Sequence, residues 1–168
     1  MGIELVFVVV LAGLILAWAL VRWTFPRPEF PPLRTSPNDP LMKEALAKAK
    51  ASLPEFMARL RSLKESAHVK LKFVSSSKQI EHLWAEVLEV LSDTELGVRL
   101  VTPPVSHVGH LDRLHRCSLD DVEDWQVRDG TGKLFGGFTQ RAMFAIAKRD
   151  GVRLPKELLE HEDEYADA

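Results

Sequence analysis

Cysteine is nearly absent: Cys117 is the sole thiol in 168 residues. No intrachain disulfide is possible, which suits a reducing compartment. Charge of one sign is also lacking. The formal net charge of -2 supplies no basic field, so no nucleic-acid partner is expected. Catalytic signatures are missing too. The glycines Gly130, Gly132, Gly136 and Gly137 cluster, but no G-x-x-x-x-G-K-[ST] is present, nor a G-x-G-x-x-G after a strand. Hairpin and bulge positions account for these glycines. Patterns for a serine or cysteine nucleophile are absent, and no cofactor is expected.

What the chain does have is a long apolar run. Leu5 to Val21 carries no charged and no strongly polar side chain. As a helix, its seventeen residues would cover roughly 26 Å. Ile3, Trp23 and Phe25 extend it towards the ~30 Å hydrocarbon core of a bilayer. A cleavable leader would begin with basic residues and end at a small-x-small site. Met1 to Glu4 has no Lys or Arg, and the run exits into Val21-Arg22-Trp23. The expectation is therefore an uncleaved transmembrane anchor over 1–23, with the lipid bilayer as one partner. Arg22, Arg27 and Arg34 follow the run, and only Glu4 and the terminal amine precede it. Basic flanks stay on the cytoplasmic side. The expected placement is single-pass in the inner membrane with the C-terminal domain cytoplasmic.

A proline-rich linker over 24–40 comes next, holding six of the ten prolines. Such a segment is extended, at about 3.1 Å per residue. Asp39-Pro40 then starts a helix, with Asp39 as cap and Pro40 at the first turn. Leu41, Met42, Ala45, Leu46, Ala49 and Leu53 recur on one face, and Pro54 marks a restart through Phe56, Met57, Leu60 and Leu63. At Ala67 the period changes. Val69, Leu71 and Phe73 alternate with Lys70 and Lys72, a half-buried strand ending at Val74.

Further strands are expected over Ile80 to Val90, Leu96 to Thr102, Leu114 to Leu119 and Trp125 to Arg128. Val105 to Asp112 reads as a loop, and Ser118 to Asp124 as an acidic turn. Asp129-Gly130-Thr131-Gly132 is a hairpin signal returning through Leu134-Phe135. Thr139 opens a helix with Ala142, Met143, Ile146 and Ala147 inward. Beyond Pro155 a short helix and an acidic tail are expected, solvated and frayed. Strands and helices in separate runs define an α+β domain over 41–150, a mostly antiparallel meander with packed helices. A short helix and tail fill 151–168.

The stretches Ile80-Glu81-His82-Leu83-Trp84-Ala85-Glu86-Val87, Leu119 to Trp125, and Gly136-Gly137-Phe138-Thr139-Gln140-Arg141 resemble the YegJ-like family of bacterial proteins, domain of unknown function 2314. Asp39 to Met42 and Leu53 to Phe56 resemble its N-terminal helical part. The likeness runs from about Asp39 to Arg141. It implies a small stand-alone domain with no established activity, so no catalytic residues are carried over. The His-rich loop from His107 to His115 is not part of the resemblance.

Candidate sites follow from strand geometry. His82, Trp84 and Glu86 alternate onto one face, about 7 Å apart, while Leu83, Ala85 and Val87 take the other. With Trp125 and Arg141 they form the candidate binding face, for an unidentified protein or small-molecule partner. The enzyme alternative makes His82 and Glu86 an acid–base pair. A metal alternative uses His107, His110, His115 and Cys117. These are zinc-type ligands, but H-x2-H-x4-H-x-C matches no common structural site. Asp120, Asp121, Glu123 and Asp124, with Trp125 nearby, could hold a cation or a basic peptide. Otherwise Ser118 or Asp120 caps a helical turn and Trp125 enters the core.

Overall fold

The computed structural model describes residues 36, 38–62, 66–75, 78–102, 104 and 113–166. The chain divides into two units, Met1–Pro32 and Leu33–Ala168, and the described residues all lie in the second. The expected span over 1–23, nearly all of the linker, the loop 105–112 and Leu63 lie outside them. Among the described residues, no helix is long and apolar enough to cross a membrane.

Helix α1 spans Pro40–Ala51 and starts as its sequence requires. Asp39 accepts from the Leu41 amide, and Pro40 occupies the first turn. Met42, Ala45 and Ala49 are buried. Helix α2, Leu53–Ser62, restarts after Ser52 and sends Phe56 and Met57 into the core. Strands β1 (Ala67–Val74), β2 (Ile80–Val90), β3 (Glu95–Leu100) and β4 (Leu114–Ser118) form an antiparallel meander. A single 3-10 turn, Leu119–Asp121, then leads to β5 (Val122–Arg128) and β6 (Leu134–Gly136). Helices α3 (Phe138–Arg149) and α4 (Lys156–Glu162) complete the domain.

The strand order is β4-β3-β2-β1-β5-β6. The expected meander therefore holds only as far as β4. Strand β5 crosses back to pair with β1, from Ala67↔Val127 to Leu71↔Val122. This return has a geometric consequence. On a flat sheet β4 and β5 would lie four strand spacings apart, roughly 19 Å at about 4.8 Å each. Ser118 to Val122 reaches at most about 14 Å even fully extended, and part of it is a 3-10 turn. The sheet must curl. Bulges let it do so, at Leu88 between Val87 and Glu89 on β2, and at Glu123 on β5 opposite Lys70 and Leu71. The N-terminal half of β2 pairs with β1 and its C-terminal half with β3. Across the curl, the ring of Phe73 on β1 comes within 5.4 Å of His115 on β4.

The core fills the concave face: Val69, Leu71, Leu83, Ala85, Leu96, Val98, Cys117, Val122, Trp125 and Val127, closed by Phe56 and Met57. Trp125 stacks on Phe56 at 5.3 Å and meets Phe138 edge-on at 5.9 Å. A second cluster, Met42, Ala45, Ala142 and Ile146, holds α1 to α3.

Two expectations near the C-terminal half are corrected. The acidic stretch is a turn only over Leu119–Asp121, capped by Ser118, and Asp124 already lies within β5. The tail is not a frayed end. Leu158 is buried, and Tyr165 forms a parallel bridge with Leu134, so this segment covers the outer edge of β6. Tyr165 also meets Phe144 edge-on and bonds to Gln126. Charge in the sequence hid the few apolar side chains that dock it.

Candidate functional site

Alternation along β2 sorts its side chains as expected. Leu83 and Ala85 are buried in the core, while His82, Trp84 and Glu86 take the convex face. Cross-strand register sets their neighbours on β1: Lys72 opposite His82, Lys70 opposite Trp84, and His68 opposite Glu86. The next strand adds Asp124 opposite Lys70 and Gln126 opposite His68. The result is a polar convex face with Trp84 at its middle. The helices pack on β5 and on one another.

Where that face meets the N-terminus of α3 lies a network that periodicity alone did not reveal. Asp124 is fully buried. Its carboxylate accepts from the amides of Trp125, Phe138 and Thr139 and from the Thr139 hydroxyl, at 2.6–3.1 Å. Two of these amides open α3, where Gly137 offers no side chain to cap it. Asp124 thus caps α3 from another strand, an arrangement that also suits the dipole of the helix. Burial pushes the carboxyl up from its ordinary range, opposed by the bonds from Thr139 and Trp125 and by the Lys70 charge.

Lys70 donates to the Thr139 hydroxyl at 3.2 Å and lies 5.8 Å from the Trp84 ring centre. Burial lowers its affinity for a proton, and Asp124 and Glu123 oppose that shift. Beside it, burial likewise pushes the His68 imidazole down. In sequence, Lys70 and Asp124 showed only as the polar half of a strand and as one acid of a turn.

His82 and Glu86 do not form an acid–base pair. His82 Nδ1 faces Glu123 Oε2 at 2.5 Å, and Glu86 takes Arg99 at 2.5 Å. Each thus has a partner on another strand. His82 remains 47% exposed. Trp125, grouped with this face in sequence, lies in the core with its indole N–H donating to Ser52. Odd and even positions of β5 point to opposite faces, and Trp125 has the parity of Val127. Arg141 sits in the first turns of α3, near enough to Tyr165 to oppose the upward shift that burial gives that phenol.

Of the metal candidates, His107 and His110 lie outside the described residues. His115 and Cys117 share the concave side of β4, and Cys117 is buried. Burial, with Asp121 and Glu95 adding to it, pushes the Cys117 thiol up to about 11. Among the described residues, no three His, Cys, Asp or Glu side chains are grouped to hold a metal ion. The curl does leave an open groove of about 520 Å³ between β1 and β4, lined by Leu71, Phe73, His115 and Cys117 with Lys72 and Asp121. His115 Nε2 is buried without a hydrogen-bond partner.

This architecture defines a class: a curled, antiparallel six-stranded sheet with packed helices. Residues 39–150 match the family of uncharacterised proteins conserved in bacteria designated DUF2314. The match covers two thirds of the 168 residues, and the chain belongs to that family. No curated protein and no solved structure matches the chain.

Proposed function

We propose that this protein is a single-pass, membrane-anchored binding module whose α+β domain faces the cytoplasm. One observation carries the reading: the uncharged run Leu5–Val21, followed by Arg22, Arg27 and Arg34 and preceded by no basic side chain. In a bilayer that pattern sets the arginines on the cytoplasmic side. The convex face with Trp84 at its middle is the recognition surface. There Lys72 and His82 are exposed, beside the half-buried Trp84. An aromatic ring beside exposed Lys72 favours an anionic or aromatic group on a partner.

Two measurements test this. Alkaline phosphatase fused after Ala168 should be inactive, because the fusion stays in the cytoplasm; strong activity would reverse the orientation. The full chain should remain in membranes after carbonate washing; release would remove the anchor.

A further inference from the structure

Strand β4 stands at one end of the sheet and pairs with β3 alone. Its hydrogen-bonding phase is set at both ends. Leu100 donates to the Arg113 carbonyl, and Leu119 donates to the Thr94 carbonyl. Alternation then turns the backbone groups of His115 and Cys117 towards β3, and those of Leu114, Arg116 and Ser118 outwards. Among the described residues, no backbone group bonds to these outward groups. Strand β1 has a short open edge as well. Its pairing with β5 runs from Ala67 to Leu71, so Lys72 to Val74 continue past the start of β5. Ser75 donates to the Gln79 carbonyl across the β1–β2 hairpin, which turns the backbone groups of Lys72 and Val74 away from β2.

The groove of about 520 Å³ lies between these two edges. Side chains alternate between the faces of a strand, so a groove on one face would be lined by every second residue. Here three consecutive residues of each strand line it, Leu71 to Phe73 and His115 to Cys117. It therefore follows the edges and forms a slot with backbone groups on both sides. Leu71, Phe73 and Cys117 give it an apolar floor. His115 Nε2, buried and without a hydrogen-bond partner, belongs to the same wall. The far edge of the sheet shows how this fold covers an edge strand. Tyr165 bridges Leu134 of β6; the Leu134 amide donates to the Glu164 carbonyl, and the Ala166 amide donates to the Leu134 carbonyl. An extended segment has been added along that strand, and open edges accept extended chain in this way.

We infer that the slot binds an extended peptide segment of a partner, which adds to the edge of β4 as a further strand. The unpaired backbone groups select this occupant, because a peptide backbone offers N–H and C=O groups at the spacing of a strand. The β4 of a second copy is held by its own β3, and β1 closes the far side of the slot, so a free segment fits where a folded edge does not. Side chains set the pattern of the peptide. Residues opposite His115 and Cys117 face the apolar floor and are aliphatic. The residue opposite Arg116 is acidic, since Arg116 and Lys72, one on each edge, are exposed with no ion pair among the described residues. Of the acidic lining residues, Glu123 is paired with His82, and Asp120 and Asp121 lie beyond the end of β4, where they favour a basic residue.

Two capped, fluorescein-labelled peptides serve as probes, Lys-Thr-Val-Glu-Val-Thr and its reverse, which suit antiparallel and parallel addition. One of them should bind the full chain in detergent, read by fluorescence anisotropy. Arg116→Pro removes an outward N–H that the fold does not use, and should weaken binding at least about tenfold. Arg116→Ala keeps that N–H and should cost only a few-fold. Where Arg116→Pro lowers the melting temperature, peptides N-methylated at alternate residues carry the same test with the protein unaltered: one phase should abolish binding. The inference is overturned if neither peptide binds, if Arg116→Pro binds as tightly as Arg116→Ala, or if both methylated phases bind like the parent. A full chain that sediments as a dimer, and as a monomer with Arg116→Pro, would give the edge to a second copy instead.

Discussion

At the scale of single residues, Trp84 and Trp125 separate two roles that look alike in sequence. Trp125 is enclosed by Phe56 and Phe138 and anchored through its N–H to Ser52. Trp125→Ala should cost about 3–5 kcal/mol in denaturant unfolding. Trp84 is half-buried on the convex face, so Trp84→Ala should cost clearly less than Trp125→Ala in the same measurement. Equal losses would place Trp84 in the core and remove it from recognition.

His68 offers a test by pH. Burial holds its proton affinity below the ordinary 6.5. The unfolded chain therefore binds the proton first as pH falls. Stability rises with pH through the window just below 6.5 and levels off above it. Replacing His68 with Gln should flatten the melting temperature across that window; an unchanged slope would assign the titration to another group.

At the scale of elements, the connection from β5 through β6 to α3 is the most constrained part of the fold. Gly136 has φ near +78, and a Cβ there would lie 2.2 Å from the Trp125 carbonyl oxygen and 2.7 Å from its ring. Neither a backbone oxygen nor a packed indole can withdraw. Gly136→Ala should destabilise by at least about 3 kcal/mol. Gly132, also at positive φ, has nothing within 4 Å. Gly132→Ala should cost only about 1 kcal/mol of backbone strain. Comparing the two by urea unfolding isolates the close approach. This explains the Asp-Trp and Gly-Gly-Phe-Thr stretches through which the chain resembles its family. They are the two halves of one joint, with Asp124 capping α3 while Gly137 donates to the Trp125 carbonyl.

At the scale of the whole molecule, the unit Leu33–Ala168 carries both hydrophobic clusters. The fragment 33–168 should therefore unfold in one cooperative transition, at the midpoint of the full chain in detergent. A broad transition, or a midpoint several degrees lower, would show that the first 32 residues contribute to the core. The C-terminal segment belongs to this unit as well. Leu134 and Tyr165 are bridged, and Arg128 pairs with Glu164. Cutting the chain after Asp163 should lower the melting temperature and speed amide exchange at Leu134, whose N–H donates to the Glu164 carbonyl.

Local features of the sequence were enough to place most of the strands, though not the start of β5. Hydrophobic alternation set β1 at Ala67–Val74 and β2 at Ile80–Val90, because a side-chain period of two needs no distant partner. The Asp39–Pro40 start of α1 and the Asp129–Gly132 hairpin were legible for the same reason: caps and turns are satisfied within a few residues. The candidate site was half legible. His82, Trp84 and Glu86 share a face because parity dictates it. Which residue meets which does not follow from parity. Glu123 takes His82 only because β5 returns beside β1, and Arg99 takes Glu86 only through the β2–β3 register. The cap supplied to α3 by Asp124 joins strand and helix fifteen residues apart, on Thr139, which also accepts from Lys70. The apolar run and its arginines are likewise matters of sequence alone, and they carry the proposal of an anchor. What only tertiary structure decided is the curl. Three residues between β4 and β5 force it, and with it comes the groove between β1 and β4.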